Sequence, residues 1–245
     1  MEYRRGVDVM FAFDVSRSMD VQDSTPAGEK SRLKHAADIA RAMIAASQGI
    51  RFGAAIGKGQ SLLAVPLTYD VETIRVFLES LSTSIIAGKG GTNLERLLDA
   101  ASQGFQNTLP TKRCMLVFSD GESWSGSLSA ALDRLDAAEI TVVAVGMGTE
   151  AGGPVPQESG EPPPISYRRE AALRNIAERT GGLYVDPNRE DAPKVLEQYF
   201  IALSHQTGIK GYKIEEQARW RIFMLIGLAS FGLAKILEKR MRGRG

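Results

Sequence analysis

The chain has 245 residues, 43% of them hydrophobic and 24% charged, enough for one well-cored domain with segments to spare. A formal net charge of +1, with no interleaving of arginine and aromatic residues, gives no basis for nucleic-acid binding. The single cysteine, Cys114, excludes an intrachain disulfide and any CxxC zinc pattern.

The opening residues, 1–6, are polar and lack the apolar core of a signal peptide. Val7 to Phe13 then reads as a strand buried on both faces, ending at Asp14. From Ser31 to Ser47 the apolar residues Leu33, Ala36, Ala37, Ile39, Ala40, Met43 and Ile44 form a helical stripe. Arg51–Ile56 and Ser61–Leu67 are two short strands about a Lys-Gly-Gln turn, a link short enough to require an antiparallel pair. Val71–Leu81 predicts a helix, residues 88–91 a flexible glycine-rich loop, and Thr92–Phe105 a second helix.

Cys114–Phe118 is another buried strand, ending at Ser119-Asp120-Gly121. Cys114 is therefore a small core hydrophobe rather than a nucleophile. Leu128–Ala138 reads as a helix, Ile140–Val145 as a third buried strand, and Gly152–Pro164 as an exposed loop rich in Gly, Pro and Glu. Ser166–Thr180 predicts a helix closed by Gly181-Gly182, a pair suited to a left-handed cap. A short strand, Leu183–Val185, and a last helix, Asp191–His205, complete the pattern. The two histidines, His35 and His205, stand alone in helix-like contexts and are read as structural or surface residues.

Nearly all-apolar strands alternating with helices indicate an α/β, doubly wound, mostly parallel sheet with one antiparallel edge strand and helices on both faces. This places the domain at 7–207, after a lead-in at 1–6. Beyond a linker at 208–219, residues 220–238 are apolar almost all round and close to the length of a bilayer span, and the tail at 239–245 is basic. A single C-terminal membrane helix is expected there, with the heavier positive charge after it favouring a cytoplasmic C-terminus and an extracytoplasmic domain.

In a doubly wound sheet, ligands gather beyond the carboxyl ends of the strands where the strand order reverses. Two of the most apolar strands end in Asp14-Val-Ser16-Arg-Ser18 and Ser119-Asp120-Gly121-Glu122, and Gly90-Gly91-Thr92-Asn93 opens a helix between them. Three hydroxyls and two carboxylates suit a hard divalent cation such as Mg2+, with Mn2+ or Ca2+ as alternatives. With the two carboxylates acting directly or through bound water, an open coordination position on such an ion would attract a carboxylate from another molecule. Each motif alone is a common helix cap or turn; their occurrence together, in order, at strand ends and a helix start, is what favours a site.

The arrangement resembles the metal-ion-dependent adhesion site of von Willebrand factor A domains, over roughly residues 5 to 205. None of the five family positions, here Asp14, Ser16, Ser18, Thr92 and Asp120, is substituted. The resemblance implies that the hydroxyls bind the metal directly, that the aspartates act largely through water, and that a partner's Asp or Glu completes the shell. The loops around Arg17, Gly91 and Glu122 are then the expected partner-binding rim.

Residues 8–19, the Gly146–Thr149 turn with its Pro-rich loop, and the terminal apolar segment are more narrowly similar to the membrane-anchored Bat proteins of bacterial aerotolerance operons. That likeness implies a non-enzymatic assembly module at a bacterial inner or cytoplasmic membrane. Bat proteins usually carry apolar helices before the domain as well. The polar opening here points to a shorter variant or a start further upstream. Two alternatives stay open: a metal-dependent phosphohydrolase and a metal-free membrane scaffold. Against the first, Ser16 stands where a haloacid dehalogenase type of phosphatase needs its second acid, and no phosphate-loop motif occurs.

Overall fold

The structure, a computed structural model, describes residues 2–4, 6–24, 30–47, 49–87, 91–105, 111–123, 128–157, 162–206 and 212–214. The expected membrane helix at 220–238 and the basic tail lie outside them. Among the described residues no helix is long and apolar enough to cross a membrane.

After a short strand β1 (Glu2–Arg4), the main sheet is built from β2 (Val7–Asp14), β3 (Arg51–Gly57), β4 (Ser61–Thr68), β5 (Lys112–Ser119), β6 (Ile140–Gly146) and β9 (Leu183–Val185). Their spatial order is β4-β3-β2-β5-β6-β9. All neighbours are parallel except β3 and β4. The antiparallel strand sits at the edge, as the three-residue turn requires, and Pro66 is tolerated there because an edge strand needs no complete ladder of donors. The remaining strands are β7 (Gly153–Pro154), β8 (Ile165–Ser166) and β10 (Tyr212–Ile214).

Alternation along each strand explains the unbroken apolar runs. Val9, Phe11, Phe13, Cys114, Leu116, Phe118, Val143 and Val145 enter one core, covered by α1 (Arg32–Ala46), α2 (Val71–Ser80) and α6 (Ala192–Gln206). Met10, Ala12, Met115, Val117, Val142 and Ala144 enter the other, covered by α3 (Leu94–Gln103), α4 (Leu128–Ala137) and α5 (Glu170–Arg179). The first core is aromatic: Phe13 stacks on Phe118 at 4.9 Å between ring centroids and Phe11 on Phe52 at 5.5 Å. Each such ring contributes about 1.5–3 kcal/mol by burial, so these contacts lock β2 against both of its neighbours. Cys114 is buried among them, and burial pushes its thiol well above the ordinary range. It has the character of a core residue.

Helix starts follow local chemistry. The side chains of Ser31, Asp70 and Asn93 accept backbone N–H bonds at the first turns of α1, α2 and α3. Gly181, at φ +65°, ends α5 in the left-handed conformation that the Gly-Gly pair predicts.

Two expectations are corrected. The helix expected from Ser166 begins only at Glu170, because residues 165–169 are engaged elsewhere. Ser166 pairs with Gly153, and the backbone N–H groups of Arg168 and Arg169 donate to Thr149 O at 3.0 Å and Asp120 O at 2.6 Å. For the same reason the Gly152–Pro164 stretch is not simply an exposed loop. Its ends form a hairpin, β7 with β8, in which Gly153 and Ser166 are buried.

What matters for function is the centre of the sheet. β2 continues to β3 on one side and is flanked by β5 on the other, so the winding reverses between β2 and β5. Phe13 is in register with Phe118, which carries Asp14 and Ser119 to the same edge. A crevice at that edge is where the topology leaves room for a ligand.

Candidate metal centre

Asp14 closes β2 and is completely buried. The Ser16 backbone N–H donates to its Oδ1 at 2.9 Å, turning the chain sharply back. The Oγ atoms of Ser16 and Ser18 then lie 2.9 Å apart on the loop entering a 3₁₀ turn, Arg17–Asp20. Ser16 is buried, Ser18 half-buried, and Arg17 exposed with its guanidinium donating to Pro156 O at 3.3 Å.

The second loop brings Thr92. Its hydroxyl is 3.2 Å from Asp14 Oδ2 and 3.4 Å from Oδ1, and the residue is only 3% exposed. Asn93 fixes it by capping α3 through its side chain and by donating its backbone N–H to Lys58 O at 3.2 Å. Gly91 is exposed beside it.

The third loop leaves β5. Ser119 Oγ donates to Asp14 Oδ2 at 2.8 Å and accepts from the Gly121 N–H at 3.0 Å. Asp120 is also completely buried. Its Oδ1 accepts from the Glu122 N–H at 3.0 Å, while its Oδ2 faces Arg32 Nη1 at 3.0 Å and Ser166 Oγ at 3.2 Å. Arg32 itself is fully buried and forms a two-pronged ion pair with Asp23, each prong 2.7 Å.

The two carboxylates are electrically unequal. Among the described residues no cationic side chain pairs with Asp14; its neighbours are hydroxyls and a backbone N–H. Burial first, and the negative charge of Asp120 second, push its carboxyl up to about 7. Asp23 shows the opposite outcome: burial raises it, but the hydrogen bonds and charge of Arg32, with help from Thr149, hold it below the usual carboxylate range.

These features fit a small hard cation. Octahedral coordination at about 2.0–2.1 Å, as Mg2+ demands, puts adjacent donor oxygens about 3 Å apart. The Ser16–Ser18 oxygen pair, 2.9 Å apart, matches that spacing. The charge of the ion would relieve the desolvated Asp14. The donor set is dominated by hydroxyls, and no cluster of three His, Cys, Asp or Glu occurs among the described residues. That composition suits an oxygen-loving ion rather than zinc held by sulfur or imidazole.

All five residues read from the sequence as metal donors come to this end of the sheet. Asp14 is the hub. Thr92 and the Ser16 backbone bond to it, Asp120 acts on it through its charge, and Ser18 joins through Ser16. Of the expected rim, Glu122 is half-buried and accepts the Tyr167 N–H at 3.3 Å. Sequence reasoning did not assign roles to Ser119, Arg32, Asp23 or Ser166. Ser119 was discoverable, since it precedes Asp120 at the strand end. Arg32 reads as an ordinary first-turn arginine, and nothing local betrays that it is buried.

Residues 9–122 match the family model of the von Willebrand factor type A domain. Over that segment the chain resembles the von Willebrand factor type A family. Among solved structures it is similar to BatB from Bacteroides thetaiotaomicron, with 27% identity and a TM-score of 0.73, over 81% of this chain and 99% of that one. It is similar to the same degree to an aerotolerance-related membrane protein from Bacteroides fragilis NCTC 9343, with 27% identity and a TM-score of 0.71, over 82% of this chain and 100% of that one. These two support the likeness to Bat proteins. Proximal thread matrix protein 1 from the mussel byssus, whose structure has a zinc-occupied MIDAS motif, shares the fold at 16% identity and a TM-score of 0.55, over 81% of this chain and 48% of that one. No curated protein matches the chain.

Proposed function

We propose that this von Willebrand factor type A-like domain is a non-enzymatic, divalent-cation-dependent protein-binding module held at a bacterial membrane. One observation carries the reading: a completely buried aspartate, Asp14, is surrounded by hydroxyls and paired with no cation among the described residues. A buried anion left in that state is costly, and a bound cation removes the cost. Mg2+ is the natural occupant, held by Ser16, Ser18 and Thr92 directly and by Asp14 and Asp120 directly or through water.

The ion would act as a Lewis-acidic anchor for an oxygen anion. With Arg32 already balancing one carboxylate, the protein's own charge does not saturate a dication, and an Asp or Glu of a partner protein completes its coordination. Ser18, half-buried, and Arg17 and Gly91, both exposed, flank the approach. The hydroxyls of Ser16, Thr92 and Ser119 are engaged with Asp14 or with Ser18.

Membrane attachment through residues 220–238 and a role in an aerotolerance or stress complex follow from the apolar composition of that segment and from the likeness to Bat proteins. The domain is proposed to lie outside the cytoplasm. Calorimetric titration with Mg2+ tests the site: uptake by the intact chain and its loss in Asp14→Ala and Thr92→Ala are expected. Crosslinking and pull-down from membranes, with and without EDTA, tests the partner; capture that is indifferent to EDTA counts against a carboxylate bridge.

A further inference from the structure

We propose that Arg32 is a built-in counter-charge beside the cation site, paired with Asp120 and Asp23, that weakens the attraction of the site for a dication. The proposal rests on the reading of Asp14 and its neighbours as a cation site.

All five N–H donors of the Arg32 guanidinium are used. Nε and Nη2 donate to the two Asp23 oxygens at 2.7 Å each, and Nη1 to Asp120 Oδ2 at 3.0 Å and Ser166 Oγ at 2.8 Å. The second Nη2 bond, 3.1 Å, goes to the Ser166 carbonyl. The side chain is 0% exposed. A guanidinium has five donors in a fixed fork and tolerates burial only when all are met, so this is a completed socket.

The backbone is shaped to admit it. Gly148, at φ +86°, lies against the guanidinium, and a Cβ there would fall 2.3 Å from Arg32 Nε. Gly148 is pinned in turn, its N–H donating to Ser24 Oγ at 3.0 Å and its carbonyl accepting from Asn188 Nδ2 at 2.9 Å. Asp23 also accepts from the backbone and side chain of Thr149, at 3.0 and 3.1 Å. The socket thus joins the loop before α1, the turn after β6 and strand β8 to Asp120.

The charges give the socket a second consequence. With Asp14 ionised, as a bound dication requires, Asp14, Asp120 and Asp23 carry three negative charges and Arg32 one positive. Removing Arg32 makes the surroundings of the ion more negative; removing the charge of Asp23 makes them less so. A residue that matters only for packing has no reason to respond to the sign of charge. Arg32 as a counter-charge demands shifts in opposite directions.

The test is Mg2+ calorimetry on the intact chain and on Arg32→Gln, Arg32→Lys and Asp23→Asn, with melting in EDTA read in parallel. Arg32→Gln is expected to melt earlier without metal yet bind Mg2+ about tenfold more tightly. Asp23→Asn is expected to bind it about tenfold more weakly, and Arg32→Lys, which keeps the charge, to stay within about threefold of the unsubstituted chain. If Arg32→Gln does not fold, Asp23→Asn decides alone: weaker binding by a chain with unchanged circular dichroism supports the counter-charge, and unchanged or tighter binding overturns it. Affinities that fall together in Arg32→Gln and Asp23→Asn overturn the proposal while leaving the cation site standing. An unsubstituted chain that takes up no Mg2+ overturns both.

Discussion

The two strand ends that meet at the centre of the sheet solve the same problem in different ways. Each buries an aspartate completely, Asp14 at the end of β2 and Asp120 just beyond β5. Asp120 is paid for internally, by a buried arginine, a hydroxyl and a backbone N–H. Among the described residues Asp14 has only hydroxyls and one N–H, and its carboxyl is pushed up to about 7 by burial and by Asp120. Buried charge is tolerated when paired and tends to neutralise when it is not. The contrast separates a finished half from one that waits: Asp120 sits in a closed ion-pair network, and Asp14 is paired with no cation among the described residues.

Removing the unpaired carboxylate breaks this contrast most strongly. Asp14→Ala is expected to lower Mg2+ affinity by at least about 100-fold, roughly 3 kcal/mol, measured by calorimetry. Asp14→Asn should also lose the ion but, in EDTA at neutral pH, should be more stable than the unsubstituted chain by on the order of 1–2 kcal/mol in urea unfolding. A less stable Asp14→Asn would mean that the charge is compensated after all.

The next effect strikes the finished half. Gly148→Ala places a methyl group against the Arg32 guanidinium at a left-handed φ of +86°. Strain and a disturbed ion-pair network together predict about 2 kcal/mol of lost stability, visible in EDTA as well as with Mg2+. Arg32 is the contact at stake, so a variant that unfolds like the unsubstituted chain would show the socket to be loose.

A third, smaller effect follows from pH. The folded carboxyl of Asp14, raised from 3.8 to about 7, holds its proton more tightly than the unfolded chain does. Its contribution to stability is therefore full below the unfolded value and is lost as pH rises through the folded one. In EDTA, the unsubstituted chain should lose stability from about pH 4 to 7 relative to Asp14→Asn. Mg2+ must displace that proton, so its apparent affinity should fall about fivefold from pH 7 to pH 6, or roughly 1 kcal/mol, and stay flat well above 7. Calorimetry in two buffers of different ionisation heat would detect the released proton.

Both carboxylates were legible in the sequence, but of the closed half only Asp120 was. Asp14, Ser16, Ser18, Thr92 and Asp120 stand at strand ends and a helix start, where period and turn chemistry announce them. The doubly wound sheet was legible for a related reason, because Val7–Phe13, Cys114–Phe118 and Ile140–Val145 are apolar on both faces. The partners that close the Asp120 half were not. Arg32 meets Asp120 across 88 positions and Ser166 across 134, and no local pattern encodes contacts so distant. The late start of α5 has the same origin, since Ser166 and Arg169 are drawn away to Arg32 and to the Asp120 carbonyl.

Ser119 lies on the boundary between the halves, and its removal should give the smallest and most diagnostic change. Its hydroxyl donates to Asp14 Oδ2 at 2.8 Å while accepting the Gly121 N–H at 3.0 Å, so it stabilises the charged carboxylate from the side facing β5. Ser119→Ala deletes one hydrogen bond to an anion in a site where each donor lowers the carboxyl's hold on its proton. The variant should therefore need higher pH to reach full Mg2+ affinity and should bind about two- to fivefold more weakly at pH 7, with little change well above it. A loss that persists at high pH would instead make Ser119 a prop for the Gly121 turn and the Asp120 loop, and would move it to the closed half of the site.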